Sequence, residues 1–300
     1  MTAEVVYGLP PPALAPIPAG AIQTSPLVIG GTPIEALAHG ASSRFTILAP
    51  PGTLERRYVL AHALRGLASG GELVALAPKF RGGARLAAEL TAFGCEVRER
   101  AKAHHRICRV KRSGAAVGLE AAIQAGGPQW VQGLGLWSQP GVFSWDRIDP
   151  GTALLMAQPW SPKGSGADLG CGVGLLARQI LAAEAVTSLR LIDIDARAIA
   201  AARRNIIDPR ASFLQRDLRR PPVNGLDFVV MNPPFHEGGA EDWRLGGQFV
   251  ETAAAMLRPG GILRVVANVA LAYEVTLAAT FAQVRSIARE GGYKVLEGVK

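Results

Sequence analysis

The chain has 300 residues, 49% of them hydrophobic and 19% charged, a composition that excludes a disordered chain and suits two domains of moderate size. No run approaches ~18 uninterrupted apolar residues, and the first residues carry Glu4 and no basic side chain, so neither a membrane span nor a secretory signal is expected. The net charge of +8 is uneven: residues 1–140 hold 14 basic against 8 acidic side chains, residues 141–300 hold 18 against 16, and this points to a polyanion docked by the front half.

Residues 1–43 are rich in Pro, Ala and Gly and read as a mostly irregular lead-in. From Arg44 the texture alternates. Strand Phe45–Ala49 is followed by helix Leu54–Leu67, which Gly70-Gly71 breaks, then by strand Glu72–Ala77 and helix Gly82–Phe93. An antiparallel pair, Glu96–Arg100 and Arg106–Lys111, completes a first α/β domain over 44–125. A Gly/Pro/Trp-rich linker occupies 126–139. Residues 140–300 repeat the texture: a strand ending at Gly166–Leu169, helix Leu175–Ala183, strand Leu189–Ile192, helix Ala196–Ile206, strand Asp227–Met231, helix Gln248–Leu257 and strand Ile262–Ala267. Such alternation predicts a mostly parallel sheet covered on both faces. Cys95, Cys108 and Cys171 stand in no CxxC spacing, which predicts a reducing, cytoplasmic setting with no disulfide and no metal site.

The two halves resemble each other. Residues 44–77 run from a strand through Pro50-Pro51 to a helix, a Gly-Gly break and a strand; residues 227–267 do the same through Pro233-Pro234. Where the second copy has Asn232 before the prolines, the first has Ala49, and it lacks a Gly-rich loop flanked by acids. The first copy therefore reads as degenerate, kept as a scaffold or docking surface.

Two segments carry chemistry. Asp168-Leu-Gly170-Cys-Gly172-Val-Gly174 lies between a strand and a helix, where glycines let the backbone approach a ligand and the helix start offers free N–H groups. It misses the dinucleotide spacing G-x-G-x-x-G, since Leu175 stands at the sixth position. An acid before G-x-G-x-G resembles the S-adenosylmethionine loop of class I methyltransferases, whose cationic ligand tolerates Asp168. Asp193, closing the next strand, suits two ribose hydroxyls, Asp217 an adenine amino group, and Asp195 a helix N-cap. The second segment, Asn232-Pro233-Pro234-Phe235, closes a strand. The prolines have no N–H, so the Asn232 side-chain oxygen and the Pro233 carbonyl form an acceptor pair suited to an exocyclic –NH₂, and Phe235 offers a stacking face.

Together with Phe143-Ser144, Asp149-Pro-Gly-Thr152, Leu263–Asn268 and Gly292-Tyr-Lys-Val, these residues resemble the family of ribosomal RNA small-subunit methyltransferase C and large-subunit methyltransferase G, which act on guanine N2. The resemblance covers roughly 140–300. It implies two tandem Rossmann-like methyltransferase domains, the first degenerate, the second a seven-stranded mostly parallel sheet. It implies S-adenosylmethionine as cofactor, held by Asp168, Gly170, Gly172, Asp193, Asp217 and Asn232, and catalysis by Asn232, Pro233 and Phe235. It also implies a monomer acting on ribosomal RNA or the small ribosomal subunit. His236 is a further candidate for ordering substrate, and Arg109, Lys111 and Arg112 for tracking phosphates. Adenine-N6 or glutamine-N5 methylation, or a non-catalytic RNA-binding assembly role, are the alternatives.

Overall fold

A computed structural model describes residues 3–219, 221, 223–234, 236–237, 240–241 and 243–300, and divides the chain into two units: Met1–Gln129 with Gln139–Gly141, and Trp130–Ser138 with Val142–Lys300. The first unit is built on a six-stranded sheet of β1 (Ala3–Tyr7), β2 (Ile22–Gln23), β3 (Ser42–Leu48), β4 (Leu67–Pro78), β5 (Arg98–Lys102) and β6 (His105–Lys111), in the order β2-β1-β3-β4-β6-β5. Helices α1 (Thr53–Gly66), α2 (Ala84–Ala92) and α3 (Leu119–Gly126) bring Leu60, Leu64, Leu86, Leu90 and Ala122 into one core with Phe45, Ile47, Leu73 and Cys108.

The sheet begins at Ala3, not at residue 44. The segment expected to be an irregular lead-in supplies β1 and β2, and β1 lies in register beside β3, burying Val5, Val6 and Tyr7. Five residues show too little alternation to declare a strand; the hydrogen bonds and burial that hold them come from a partner some forty residues on.

In the second unit a two-stranded ribbon, β7 (Gln129–Val131) with β8 (Leu136–Ser138), stands where the linker was expected. The main elements follow in the order α4 (Pro150–Met156), β9 (Gly164–Leu169), α5 (Leu175–Ile180), β10 (Val186–Asp193), α6 (Ala196–Asn205), β11 (Ala211–Gln215) and β12 (Leu226–Met231). The short pair β13 (His236–Glu237) and β14 (Ala240–Glu241) precedes α7 (Trp243–Met256), β15 (Leu257–Asn268), α8 (Tyr273–Thr280), β16 (Gln283–Glu290) and β17 (Tyr293–Val299). The seven-stranded sheet runs β11-β10-β9-β12-β15-β17-β16, with β17 antiparallel to both neighbours and β9 to β12 and β15 parallel.

Alternate residues of β12 feed two cores, as strand geometry requires. Val229 and Met231 meet Phe249, Val250 and Leu277 of α7 and α8; Phe228 and Val230 meet Leu176, Ile180 and Ile199 of α5 and α6. Gly166 on β9 makes room for Phe228: a Cβ there would lie 2.1 Å from the ring.

The duplication extends beyond the strand–turn–helix unit seen in the sequence. Reading β10-β9-β12-β15-β17-β16 against β2-β1-β3-β4-β6-β5, the two sheets match strand for strand, and the parallel and antiparallel pairs fall in the same places. By register Tyr7 pairs with Ile47, two residues before Ala49, as Asp168 pairs with Val230, two residues before Asn232. A tyrosine thus holds the place of the buried acid. The Pro-Pro turn of the first copy is also filled. Arg56, 0% exposed, donates from Nη1 to the carbonyls of Pro50 (3.1 Å) and Pro51 (2.7 Å) and from Nε and Nη2 to the two carboxylate oxygens of Glu89 (2.7 and 2.6 Å).

Candidate active site

The C-terminal ends of β9, β10 and β12 bring the two sequence motifs together. Such an edge, where neighbouring parallel strands leave in different directions, is where open α/β sheets bind ligands. Leaving β9, the chain turns through Gly170 (φ +71), Gly172 (φ +52) and Gly174 (φ +88), a left-handed sequence that residues with a Cβ rarely adopt. Gly170 N–H and Cys171 N–H both donate to the Ile192 carbonyl, and Gly174 caps α5 while packing on Ile206 and Ala202. A Cβ built on Gly172 meets nothing within 4 Å, so its conformation and not crowding demands glycine, and the space beside it is open to a ligand.

Asp193 anchors this loop. Its Oδ2 accepts from Gly172 N–H and its Oδ1 from Asp195 N–H, each at 2.9 Å. Burial raises its carboxyl to about 6, against the pull of these backbone N–H groups. Asp195 accepts from Arg197 N–H and caps α6, as expected.

Asp168 is 0% exposed, and among the described residues neither carboxylate oxygen accepts a hydrogen bond of normal geometry. Burial first, and the neighbouring Asp193 charge second, raise its carboxyl from 3.8 to about 8. A buried acid without a partner is costly in a protein interior. Its position under the open glycine loop fits a cationic group, whose approach would restore the charge and satisfy it. The Asp168–Gly172–Asp193 set therefore suits a ligand that combines a cation with hydroxyl donors, such as S-adenosylmethionine.

Asn232 leaves β12 beside this loop, its carbonyl oxygen 3.8 Å from a Cβ built on Gly170. Its Nδ2 donates to Asp149 Oδ2 and to Thr152 Oγ1, each at 2.8 Å. Both amide protons are thereby spent, which fixes the amide orientation and leaves Oδ1 as an acceptor. Asp149 is itself the N-cap of α4, accepting from Thr152 N–H at 2.8 Å, with Pro150 at the first helical position. Gly151 lets the Tyr293 ring pack against this turn. Asp149 and Thr152 hold this amide, a part that the sequence motif Asp149-Pro-Gly-Thr152 does not announce. Their signal was the Asp-Pro helix start, which marks a cap but not what else the cap would hold.

Pro233 is buried after Asn232. Phe235, expected as the stacking face, lies outside the described residues, and His236 is described by its backbone alone. Asp217 stands two residues beyond β11, half-buried, and its carboxylate faces Arg219, with Arg219 Nη2 to Oδ2 at 2.6 Å. An adenine amino group would have to share it with that guanidinium. The three front-half cations differ among themselves. Arg109 pairs with Glu72 at 2.7 Å, Arg112 donates to the Leu67 carbonyl, and Lys111 is exposed. The β5–β6 register does set Arg98 and Arg109 opposite each other. No cluster of three or more His, Cys, Asp or Glu suited to a metal occurs among the described residues.

Residues 133–297 match the family model of the methyltransferase small domain. A ribosomal RNA small subunit methyltransferase C of Pseudomonas paraeruginosa is 32% identical over 264 residues, covering 85% of this chain and 79% of that protein. The protein of the same name from Idiomarina loihiensis is 36% identical over 159 residues, 52% of this chain, and the chain spans about half, 47%, of that relative's length. Among solved structures, the Thermus thermophilus 16S rRNA N2 G1207 methyltransferase, in complex with AdoMet and guanosine, superposes with a TM-score of 0.72 at 25% identity, over 90% of this chain and 76% of that one.

Proposed function

Because the chain belongs to the methyltransferase small-domain family, in the group of the ribosomal RNA small subunit methyltransferase C proteins, we propose that it transfers a methyl group from S-adenosylmethionine to guanine N2 in ribosomal RNA. The observation that carries the chemistry is the fixed amide of Asn232, with both N–H groups held by Asp149 and Thr152. Bound S-adenosylmethionine supplies a methyl already activated on a sulfonium. The chain has to hold and orient the amine. Guanine N2 is a weak nucleophile because its lone pair is delocalised into the ring. Asn232 Oδ1 and the Pro233 carbonyl accept its two protons and turn that lone pair out of the ring plane. Once N2 carries positive charge its proton is acidic and passes to water, so no strong base is required. The guanine must be unpaired or flipped out for N2 to be reached.

Asp168, Gly170, Gly172 and Asp193 hold the cofactor in this reading. Asp193→Ala weakens S-adenosylmethionine binding by roughly 1.5–3 kcal/mol, the scale for charge-assisted hydrogen bonds, and calorimetry with unchanged affinity would remove Asp193 from the ribose role. The first unit binds no cofactor: Tyr7 stands in the acid's place, Ala49 in the asparagine's, and Arg56 takes up the Pro50 and Pro51 carbonyls. It serves as scaffold and RNA-docking surface.

The enzyme acts as a monomer in the cytoplasm, on ribosomal RNA or the small subunit. No helix among the described residues is long and apolar enough to cross a membrane. The deciding experiment supplies methyl-labelled S-adenosylmethionine with ribosomal RNA and analyses the nucleosides by mass spectrometry. N2-methylguanosine is the expected product. Label on adenine N6, on protein glutamine, or on nothing would replace this reading by one of its alternatives.

A further inference from the structure

The most exposed aromatic ring among the described residues belongs to the first unit and to none of its core clusters: Phe80, 91% exposed. It follows β4 in the turn Lys79–Gly83, and this turn is braced. Lys79 N–H donates to the His104 carbonyl at 2.8 Å, tying the turn to the tip of the β5–β6 hairpin. Gly82, at φ +92, sits so close to the buried Arg56 guanidinium that a Cβ there would lie 2.4 Å from Nη1. The ring is therefore presented on a held backbone.

Its surroundings are cationic. Lys79 Nζ lies 5.1 Å from the centre of the Phe80 ring. Residues 79–88 contain Lys79, Arg81 and Arg85 and no acid, and the hairpin tip 100–105 contains Arg100, Lys102, His104 and His105 and no acid; Arg106 beside it is paired with Glu99 at 3.4 Å. Pairing of Pro78 with His105 sets that tip beside the turn. A partner that fits an exposed flat ring framed by cations is a polyanion bearing planar groups.

We infer that Phe80, with Lys79 and Arg81, is a stacking site for an unpaired base of single-stranded RNA, the cations holding its phosphates. The inference rests on the ribosomal RNA reading and deepens it: it moves docking from Arg109 and Arg112, which are engaged within the protein, to the turn after β4. Base–aromatic stacking tolerates any base, so the site adds affinity and placement and leaves the choice of guanine to the Asn232 turn.

The test uses the full-length protein and a labelled single-stranded fragment of ribosomal RNA. Phe80→Ala weakens RNA binding about 10- to 100-fold, the scale of one lost stacked base, without changing the salt slope, the melting temperature or cofactor affinity. Phe80→Trp restores binding and Phe80→Leu does not. Combined Lys79→Ala and Arg81→Ala flattens the salt dependence. Wild-type affinity in Phe80→Ala, or full rescue by Phe80→Leu, which would mark an apolar protein contact, overturns the inference. Methyl transfer by the wild-type protein is scored separately. RNA bound through Phe80 without any methylation would sink the functional reading and leave this site standing, whereas methylation with an indifferent Phe80 would do the reverse.

Discussion

Asn232→Ala lowers single-turnover methylation of bound RNA by about 10²-fold or more, the scale for losing one preorganised polar group that acts in the transition state. Cofactor affinity stays close to that of the wild type, because in the proposed reading the glycine loop, Asp168 and Asp193 carry that task. The structure adds a second variant that isolates orientation. Asp149→Ala leaves the Asn232 oxygen in place but removes one of the two acceptors that hold Nδ2 at 2.8 Å, so the amide is free to turn. It should lose part of the rate, with RNA affinity unchanged. Asn232→Asp, which on shape alone would keep partial activity, falls to the alanine level. Its carboxylate would face Asp149 Oδ2 with no proton to offer, and one of the two acids would have to be neutralised. A wild-type rate in Asn232→Ala would end the amine-acceptor mechanism.

Asp168→Asn produces opposite effects on binding and on stability. The folded-state carboxyl titrates near 8 against an ordinary value of 3.8, so between those limits the unfolded chain releases a proton that the folded chain keeps. Cofactor-free stability therefore falls as pH rises from about 4 to about 8, at up to ~1.4 kcal/mol per pH unit. Asparagine removes this dependence, and at pH 8 the variant without cofactor is more stable than the wild type by about 2–5 kcal/mol. Binding goes the other way. A cationic ligand stabilises the ionised acid and drives its proton out, so wild-type affinity for S-adenosylmethionine tightens as pH rises from about 6 to about 8, with proton release visible in calorimetry across buffers of different ionisation enthalpy. The variant binds about 10- to 100-fold more weakly, the loss of a charge-assisted contact, and shows no such release. Melting curves whose pH dependence is identical in the two proteins would show that Asp168 is not the buried acid described.

Local physics made much of this chain legible in advance. Glycines at 170, 172 and 174 announce a left-handed turn because other residues avoid it, and all three have positive φ. Asp195 reads as a cap and is one, since its donor, Arg197 N–H, is two residues away. Asp193 ends its strand and Asn232 precedes two prolines, so both lie at the same sheet edge once the strands are parallel. The pairing of Asp217 with Arg219 joins residues two apart in the chain and is local in the same sense.

The amino-acid order by itself determined the two-copy α/β architecture, the glycine loop, the Asn-Pro-Pro turn after β12 and the loss of both acid and asparagine from the first copy. These follow from spacing, backbone freedom and periodicity within a few tens of residues. Only the tertiary structure decided which polar groups meet. Asn232 finds Asp149 across 83 residues, Arg56 finds Glu89 across 33, and Arg109 spends its charge on Glu72 across 37. It also decided that Ala3–Tyr7 is a strand, that the Asp168 carboxylate accepts no hydrogen bond of normal geometry among the described residues and that Phe80 is 91% exposed. A side chain's partners are set by the packing of elements distant in sequence, and whether a charge is spent, buried or offered to a ligand depends on that packing rather than on the residue type.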